Sequence, residues 1–356
     1  SASIHWSCRR SGMGSCMRSF AKRSANPGKP PLQQKINPAN KRPVKISIIT
    51  PILNDAPQVR ACLESVDAQK YPSWEHIIVD GGSEDGLEEV VEEYRDSRRK
   101  LIRRPGTSMY EAIDEGFVHS SGEVQCWLNA DDQWESMALA TVAKIFQERP
   151  EINWLSGMPA SRVNGLIQSV KPDLHYPREI IKQGLCDGVA YPFLTQEVIF
   201  WRQSLKERVG TFPSNLRWAG DFWLWTQFAA HTPLIKVQAI LGGFTRRQGQ
   251  VSELRKNSYR EEIQVVQREL PARSVDREEY KRIKISIYLY CIGRLWPRLQ
   301  RASYFPLSAE WKKVSVLRVT HDWEFVETSF PVNLWKARRE KLIHGIKEVW
   351  EQARTT

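Results

Sequence analysis

Two adjacent acids, Asp131 and Asp132, directly follow the apolar run 126–128 in the stretch CWLNADDQWES. Neighbouring carboxylates repel each other, and burial increases the cost of keeping both ionised. Such a pair has two structural explanations. It can cap a helix N-terminus, where an acid complements the helix dipole. It can instead hold a divalent cation that is shared with a phosphate. The two residues alone favour the helix cap.

The segments around this pair alternate between strand and helix patterns. Apolar runs predict the strands, and apolar residues at helical spacing predict the helices between them. This alternation is typical of right-handed βαβ units with a parallel sheet. Ligands of such sheets bind beyond the carboxyl ends of the strands, which is where Thr50-Pro51, Asp80-Gly81 and Asp131-Asp132 fall. The predicted strands are 45–51, 74–80, 100–104 and 123–129, and the predicted helices are 56–69, 85–96 and 107–120.

The known nucleotide-binding fingerprints are missing from this pattern. A dinucleotide site needs GxGxxG directly after the first strand, and the turn there reads TPILND. A P-loop is missing as well. The missing dinucleotide fingerprint disfavours a nicotinamide enzyme, although the predicted sheet is Rossmann-like. Asp80, at the end of the second strand, fits two roles equally well. It either accepts hydrogen bonds from a ribose or a base, or it caps the turn into the next helix.

Composition indicates an ordinary globular protein. The chain has 356 residues, of which 41% are hydrophobic and 26% charged, which allows one large domain or two modest ones. Its apolar runs are shorter than the roughly 20 residues that a membrane helix needs. The six cysteines show no CxxC pair and no metal spacing. We therefore predict a reducing, cytoplasmic location.

The net charge of +11 is concentrated at the two ends of the chain. Residues 1–45 carry +10 and residues 271–356 carry +7, which leaves −6 for residues 46–270. An acidic middle disfavours a nucleic-acid-binding core. The basic ends suit peripheral contact with an anionic membrane, and they equally suit solvated flanks.

Three regions follow from these patterns. Residues 1–44 mix Ser, Gly, Pro and basic residues without periodicity, which predicts a disordered arm. Residues 45–270 form the predicted α/β domain, including a helix at 138–150 and a hairpin at 153–172. Residues 271–356 are basic and Trp-rich, with helical patterns at 276–295 and 333–353.

Six segments in sequence order resemble family 2 glycosyltransferases of the GT-A fold. They read KISIITPILND, EHIIVDGGSEDG, YEAIDEGFVHSSGEVQCWLNADD, TQEVIFWRQSLKERVGTF, AGDFWLW and GGFTRRQGQVS, and they lie within residues 45–260. Each segment alone is weak, but their order is specific. The resemblance is strongest to bacterial enzymes that build exopolysaccharide, capsule or O-antigen units. It implies a Rossmann-like α/β fold with a mostly parallel central sheet, here with a helical C-terminal extension.

The resemblance also implies a site for a nucleoside-diphosphate sugar at the carboxyl edge of the sheet. Thr50, Pro51 and Asn54 would line the nucleoside pocket, with Asp80 and Gly81 beside the base. The DxD-like motif of the family falls on Asn129-Ala130-Asp131. Asp131 would then be the ligand of Mn²⁺ or Mg²⁺, and Asp132 would support the metal or contact the sugar. This interpretation replaces the helix cap for the acidic pair.

The catalytic base implied by the family lies in an acid motif at the start of a helix, which matches Asp221 in WAGDFWLW. A carboxylate there would take the proton of the acceptor hydroxyl as it attacks. Much of the family carries two acids at this place, and Gly220 replaces the first. Glu197 of TQEV is therefore a rival base or acceptor contact.

Four further residues complete the implied donor site. Arg246 and Arg247 are candidates for the diphosphate, since a guanidinium binds phosphate oxygens in a bidentate manner. Tyr110 and Asp114 are candidates for the sugar, although the preceding segment departs from the family pattern. Trp201 and Trp218 are candidates for the acceptor site, and a core position is the simpler explanation for such residues.

The sequence thus predicts an inverting, metal-dependent, hexosyltransferase-type enzyme. It would move a sugar from a nucleoside-diphosphate donor, by default a UDP-sugar, to a hydroxyl of a glycan or lipid-linked acceptor in bacterial surface polysaccharide synthesis. Two alternatives stay open. A sugar nucleotidyltransferase would need a Gly-rich phosphate loop after the first strand. A non-catalytic nucleotide- or carbohydrate-binding protein is consistent with Asn129 and Gly220.

Overall fold

The computed structural model describes residues 42–163, 165–170, 176–247, 249–270, 310–318 and 324–333. The predicted basic arm therefore lies outside the described residues, apart from its last three positions. From Val44 onward the chain enters a large α/β unit, in which the strand and helix alternation predicted from the sequence is present.

The described residues form one mixed sheet in the order β11-β10-β9-β6-β8-β4-β1-β2-β3, with β5 paired to β9 and β7 paired to β6. The four strands at one end, β3-β2-β1-β4, are parallel. β8 runs antiparallel to both of its neighbours. The strands are β1 Ile46–Ile52, β2 Trp74–Asp80, β3 Arg99–Arg103, β4 Val124–Trp127, β5 Gln133–Trp134, β6 Trp154–Val163, β7 Leu166–Val170, β8 Ile199–Arg202, β9 Ile235–Thr245, β10 Glu310–Arg318 and β11 Glu324–Asn333.

The helices cover the sheet and begin close to where the sequence predicts them. In α3, Ser108 and Glu111 form a capping box, which fixes the first residue of the helix. The helices are α1 Ala56–Asp67, α2 Leu87–Glu93, α3 Met109–Val118, α4 Ala138–Glu148, α5 Arg178–Lys182, α6 Gln203–Val209, α7 Gly220–His231, α8 Val251–Leu254 and α9 Lys256–Glu269.

β1 is the central strand that aligns the site. Every residue of β1 is buried, as expected for a parallel strand covered on both faces. It pairs with β2 on one side and β4 on the other, so that Ile49 lies opposite both Ile77 and Trp127. The carboxyl ends of three adjacent strands therefore meet at one edge.

Aromatic side chains fill the core beneath β4, β6 and β8. Trp127 stacks on Trp225 with ring centroids 5.5 Å apart, and Trp154 stacks on the other side at 6.0 Å. Trp201 packs edge-on against this stack and is fully buried. Its role is therefore in the core.

The C-terminal region differs from the prediction where it is described. β10 and β11 form an antiparallel hairpin within a region predicted to be helical. The segments are rich in β-branched and aromatic residues, including Val314, Val316, Phe325 and Val326, and such residues favour strands. The helices predicted at 276–295 and 333–353 lie outside the described residues. Within the described part of the chain, none of the helices is long and apolar enough to cross a membrane.

Candidate active site

Two acids from the ends of neighbouring strands share one arginine at the carboxyl edge of the sheet. Arg247 Nη2 lies 2.7 Å from Asp55 Oδ2, and its Nε lies 3.3 Å from Asp131 Oδ2. Asp55 follows β1 and Asp131 follows β4, so these parallel strands place the two carboxylates together. Burial raises the pKa of Asp55, Arg247 lowers it, and the charge of Asp131 raises it again. This edge of the sheet thus holds two carboxylates and the long cationic side chain of Arg247.

This donor set fits a divalent cation. The described residues contain no cluster of three or more His, Cys, Asp or Glu side chains that could hold a metal. Mg²⁺ is commonly held by one or two carboxylates together with substrate phosphates and waters, so such a cluster is not required. Asp131 and Asp55 offer the hard oxygen ligands that Mg²⁺ and Mn²⁺ prefer. Arg247 lies between them as the counter-charge.

Asp132 points in a different direction from its neighbour. It is fully buried, and its Oδ1 accepts a hydrogen bond of 2.9 Å from the Thr245 amide. Asn129 donates to its other oxygen at 3.3 Å. Burial raises the pKa of Asp132 well above its ordinary value, and the charge of Glu197 adds to the effect. Asp132 therefore links β4 to β9, and its predicted metal or sugar contact stays a prediction.

Glu197 lies in the interior beside Asp132. Its side chain is buried, and its backbone carbonyl accepts a hydrogen bond of 2.7 Å from Trp134 Nε1. Asn129 is held on the same side, since its Nδ2 donates to Gln196 Oε1 at 3.2 Å. The structure thus groups the rival base Glu197 with the acids after β4.

The predicted nucleoside residues divide between the strand interior and its end. Thr50 is fully buried, with its hydroxyl 2.8 Å from His76 Nε2. Because Arg99 donates to His76 Nδ1, the proton of the ring is on Nε2 and is donated to Thr50. Burial and the nearby Arg99 charge keep the pKa of His76 well below its ordinary value. The Thr50 hydroxyl is thus engaged inside the sheet, and Pro51 is buried beside it in β1, so the nucleoside contacts predicted for these two residues stay predictions.

Asn54 and Asp80 tie the ends of β1 and β2 together. Asn54 has a φ of 51°, a left-handed conformation that Asn tolerates better than most residues. Its Oδ1 accepts from the Glu84 amide at 2.9 Å. Asp80 Oδ1 accepts from the amides of Gly82 and Ser83 at 3.0 and 2.7 Å. One oxygen of Asp80 therefore caps the turn, and Oδ2 lies 3.8 Å from Arg103 Nε, so the predicted contact of Asp80 with a base or ribose stays a prediction.

The other predicted donor residues lie close to these loops. Gly81 donates to the Ile52 carbonyl at 2.9 Å and so holds the turn after β2 against the end of β1. Arg246 is exposed, and its amide donates to the Arg162 carbonyl at 2.8 Å. Of the two predicted arginines, Arg247 is the one that contacts the acids.

Asp114, predicted to contact the sugar, is engaged in an ion pair with Lys206. Lys206 Nζ lies 3.0 Å from Asp114 Oδ1, and Oδ2 accepts from the Phe212 amide at 2.7 Å. Lys206 is buried and lies over the rings of Phe117 and Phe212. Burial lowers the pKa of Lys206. This ion pair joins α3 to α6. The predicted sugar contact of Asp114 would therefore require its carboxylate to bind the sugar and Lys206 at the same time.

We expect Lys206→Met to cost about 3 kcal/mol of unfolding free energy. The substitution leaves the carboxylate of Asp114 in a largely buried place without its cation, and breaking a buried pair from one side is strongly destabilising. Urea unfolding followed by circular dichroism measures the change. Lys144→Met is the control, because Lys144 pairs with Glu148 on the surface at 4.0 Å and such pairs contribute little. Equal losses in both variants would contradict a structural role for the buried pair.

Asp221 is the second residue of α7, and two tyrosine hydroxyls lie close to its carboxylate. Its Oδ1 accepts from the Phe222 amide at 2.7 Å. Tyr259 OH lies 3.1 and 3.2 Å from its two oxygens, and Tyr110 OH lies 3.4 Å from Oδ1. Burial raises the pKa of Asp221 to about 6, against the lowering effect of these hydrogen bonds. A carboxylate with this pKa is mostly ionised at neutral pH, and it is more basic than an ordinary aspartate when it accepts a proton.

Tyr110 also explains why Gly220 replaces the first acid of the family motif. A Cβ atom on Gly220 would lie 2.7 Å from the ring of Tyr110. Tyr110 is buried, and its hydroxyl donates to the Trp218 carbonyl at 2.9 Å. The ring therefore occupies the space that a side chain at 220 would need. Tyr110 supports the start of α7, and its predicted sugar contact is not part of this arrangement.

Three residues of the site were missed by sequence reasoning. Asp55 lies inside the quoted motif TPILND, and its position after β1 was a usable signal. Tyr259 and Glu262 lie on α9, where no motif marks them. Their spacing of three residues places them on one helix face, but the partner of that face cannot be read from the sequence.

The Rossmann-like sheet with acids after β1 and β4 fits the predicted GT-A fold, and comparisons with known proteins agree. Residues 47–207 match the family model described as Glycosyl transferase family 2. The predicted relationship to family 2 glycosyltransferases is thereby confirmed.

Relatives named as glycosyltransferases match about half of the chain. Glycosyltransferase AglE of Haloferax volcanii is 27% identical over 198 residues, which are 52% of this chain and 60% of that protein. The PGL/p-HBAD biosynthesis glycosyltransferase of Mycobacterium bovis is 30% identical over 176 residues, 48% of this chain and 64% of that protein. The chain thus spans about three-fifths of the length of these relatives.

A solved structure confirms the fold. The crystal structure of S. aureus TarS 1–349 in complex with UDP-GlcNAc aligns with a TM-score of 0.54 and 17% identity, over 74% of this chain and 76% of that one. At this identity the likeness establishes the GT-A fold alone.

Proposed function

We propose that this protein is an inverting, metal-dependent glycosyltransferase that uses a nucleoside-diphosphate sugar. The observation that carries the proposal is the convergence of Asp55 and Asp131 on Arg247, at the edge where ligands of such sheets bind. The two carboxylates can bind the divalent cation of a metal–diphosphate complex, and Arg247 can bind its phosphate oxygens. The UDP-GlcNAc complex of TarS makes a UDP-sugar the first donor to test.

Each charged residue has a definite part in the proposed reaction. Asp131, with Asp55 beside it, would hold Mn²⁺ or Mg²⁺, which when bound stabilises the negative charge of the leaving diphosphate. Arg247 would exchange its carboxylate partners for phosphate oxygens. Asp80 Oδ2 would accept a hydrogen bond from the base.

Asp221 would act as the general base on the acceptor side. Its carboxylate takes the proton of the acceptor hydroxyl while the oxygen attacks the anomeric carbon, and the bond to the diphosphate breaks on the opposite face. Direct displacement of this kind inverts the anomeric configuration. Because Asp221 has a pKa of about 6, transfer should fall as the pH drops through 6 and the base becomes protonated.

We propose a glycan or lipid-linked acceptor in bacterial surface polysaccharide synthesis. The PGL/p-HBAD relative is named for a biosynthetic glycosyltransferase, which supports a biosynthetic role. The charge of +7 in residues 271–356 supports peripheral contact with anionic lipid. Co-sedimentation with anionic liposomes tests that contact, and indifference to lipid would remove it.

A screen of nucleoside-diphosphate sugars tests the proposal as a whole. We expect UDP or a UDP-sugar at about 100 times its Kd to stabilise the fold by about 2.7 kcal/mol, and only when Mn²⁺ or Mg²⁺ is present. Thermal unfolding measures the shift, and hydrolysis of the sugar–phosphate bond identifies the donor. Absent or metal-independent stabilisation across all nucleotides would contradict the proposed site.

A further inference from the structure

Helix α9 contacts the start of α7 through side chains that follow one another along a single face. Glu262 accepts hydrogen bonds from three successive backbone amides, those of Arg217, Trp218 and Ala219, at 2.8 to 3.1 Å. These amides would otherwise lack partners at the helix start. The guanidinium of Arg255 lies 5.4 Å from the Trp218 ring. The position of α9 relative to α7 is therefore fixed by several independent contacts.

Of the two tyrosines beside Asp221, Tyr259 is the one that donates its hydroxyl hydrogen to the carboxylate. The Tyr110 hydroxyl has one hydrogen, which it donates to the Trp218 carbonyl at 2.9 Å, and it accepts from the Asp221 amide at 3.1 Å. Its 3.4 Å approach to Asp221 Oδ1 is thus secondary. Tyr259 reaches both carboxylate oxygens, and within the described residues no other side chain donates to Oδ2.

The surroundings keep Tyr259 in place as a donor. Its ring packs edge-on against Phe193 at 5.5 Å. Tyr259, Phe193 and Asp221 line one small cavity together with apolar side chains that include Phe222 and Trp225. Burial and the nearby Asp221 charge raise the pKa of Tyr259 well above its ordinary value, so the hydroxyl keeps its proton. A phenol that stays protonated stabilises the ionised form of the acid that it contacts.

We propose that Tyr259 is a positioning residue for the base Asp221. Its hydroxyl holds the carboxylate ionised and oriented at the cavity, and Glu262 anchors the helix that brings it there. The inference rests on the proposed function, since it assigns Asp221 as the base. It places part of the acceptor side on α9, beyond residues 47–207, which match the family model.

The test is Tyr259→Phe in the full chain, assayed for transfer between pH 5 and 9 with the donor identified in the screen. Loss of the hydrogen bond makes Asp221 harder to ionise, so the acid limb of the kcat profile should move from near pH 6 upward by about one pH unit. Above pH 8 the rate should return to within about threefold of the wild type, and the donor KM should not change. An acid limb that stays in place, or a loss that is equal at every pH, would overturn the proposal.

Tyr94→Phe is the matched control. It removes another hydrogen bond from a tyrosine to a carboxylate, that from Tyr94 OH to Glu64 Oε1 at 2.8 Å, on the surface between α1 and α2. This variant should keep the wild-type acid limb. A shift equal to that of Tyr259→Phe would show that the effect is not specific to Asp221.

A second readout separates this inference from the proposed function. The hydrogen bond favours ionised Asp221, so the loss of Tm in Tyr259→Phe should be larger at pH 8 than at pH 5. This difference requires no substrate. Wild-type protein that transfers no sugar from any donor would refute the proposed function, whereas a loss of Tm that is the same at both pH values would refute the contact between Tyr259 and ionised Asp221.

Discussion

Asp221→Asn should reduce transfer by about 10³-fold while the affinity for the nucleotide stays within about twofold of the wild type. A positioned general base typically contributes 10²- to 10⁴-fold to the rate, and an amide cannot accept the proton. Asn keeps the shape of the side chain and an oxygen for the Phe222 amide, so the start of α7 should stay folded. Steady-state transfer assays and calorimetry with UDP and Mn²⁺ measure the two quantities.

The same substitution should change how stability depends on pH. The pKa of Asp221 is raised from 3.8 to about 6 in the folded protein, so the folded state binds a proton more tightly than the unfolded state does. The carboxyl group therefore favours folding most at low pH, and this contribution is lost as the pH rises through 6. Relative to the wild type, Asp221→Asn should gain stability between pH 5 and 8.

Glu197→Gln decides between the two candidate bases. If transfer survives in Asp221→Asn and is lost in Glu197→Gln, the base is Glu197. The acceptor then binds beside Glu197 and Asp132, and not beside Asp221. If both variants lose transfer, their nucleotide affinities separate the roles. A base variant retains metal-enhanced binding, and a variant that damages the donor edge does not.

Asp131→Asn should abolish the enhancement of UDP affinity by Mn²⁺ and reduce transfer by at least about 10²-fold. The cation contributes several kcal/mol to stabilising the leaving diphosphate, and each 1.36 kcal/mol is a factor of ten in rate. The variant replaces one ligand oxygen by an amide, and it also frees Arg247 from one of its two partners. Calorimetry with UDP, with and without Mn²⁺, measures the coupling directly.

Asp96→Asn is the control for the loss of one acid. Asp96 pairs with Arg98 at 2.6 Å in a partly exposed ion pair, away from the carboxyl edge. Its substitution should leave the metal enhancement intact. Asp132→Asn then tests the second acid of the pair, and loss of the enhancement there would assign Asp132 to the metal as well. Full metal enhancement in Asp131→Asn would refute the proposed role of Asp131.

The meeting of Asp80 and Asp131 at the carboxyl edge of the sheet could be predicted because local patterns determine it. The apolar runs of β1, β2 and β4 fix where each strand ends, and parallel pairing brings Asp80 and Asp131 to one side. The contacts that complete the edge join distant residues. Arg247 is 192 residues from Asp55 and 116 from Asp131. Local sequence periodicity does not predict contacts between residues so far apart in the chain.

Sequence patterns also do not reveal the distant partners of Asp114 and Tyr110. Asp114 was predicted to face the sugar, but Lys206 lies 92 residues away and is paired with it. Tyr110 was assigned to the sugar by motif position, whereas its ring fills the space beside Gly220. The hairpin of β10 and β11 lies between the C-terminal helices predicted at 276–295 and 333–353 and was missed from the sequence, although the alternating β-branched residues of these segments favour strands.

The contacts between α9 and α7 have a consequence for how the proposed site can change. The ligands proposed for the donor come mostly from the first half of the described chain, whereas the group that sets the basicity of Asp221 is supplied by a helix encoded after residue 255. Under the proposed function, a substitution on α9 would change the proton affinity of Asp221 and leave Asp55, Asp131 and Arg247 as they are, so the strength of the base and the affinity for the donor would vary separately.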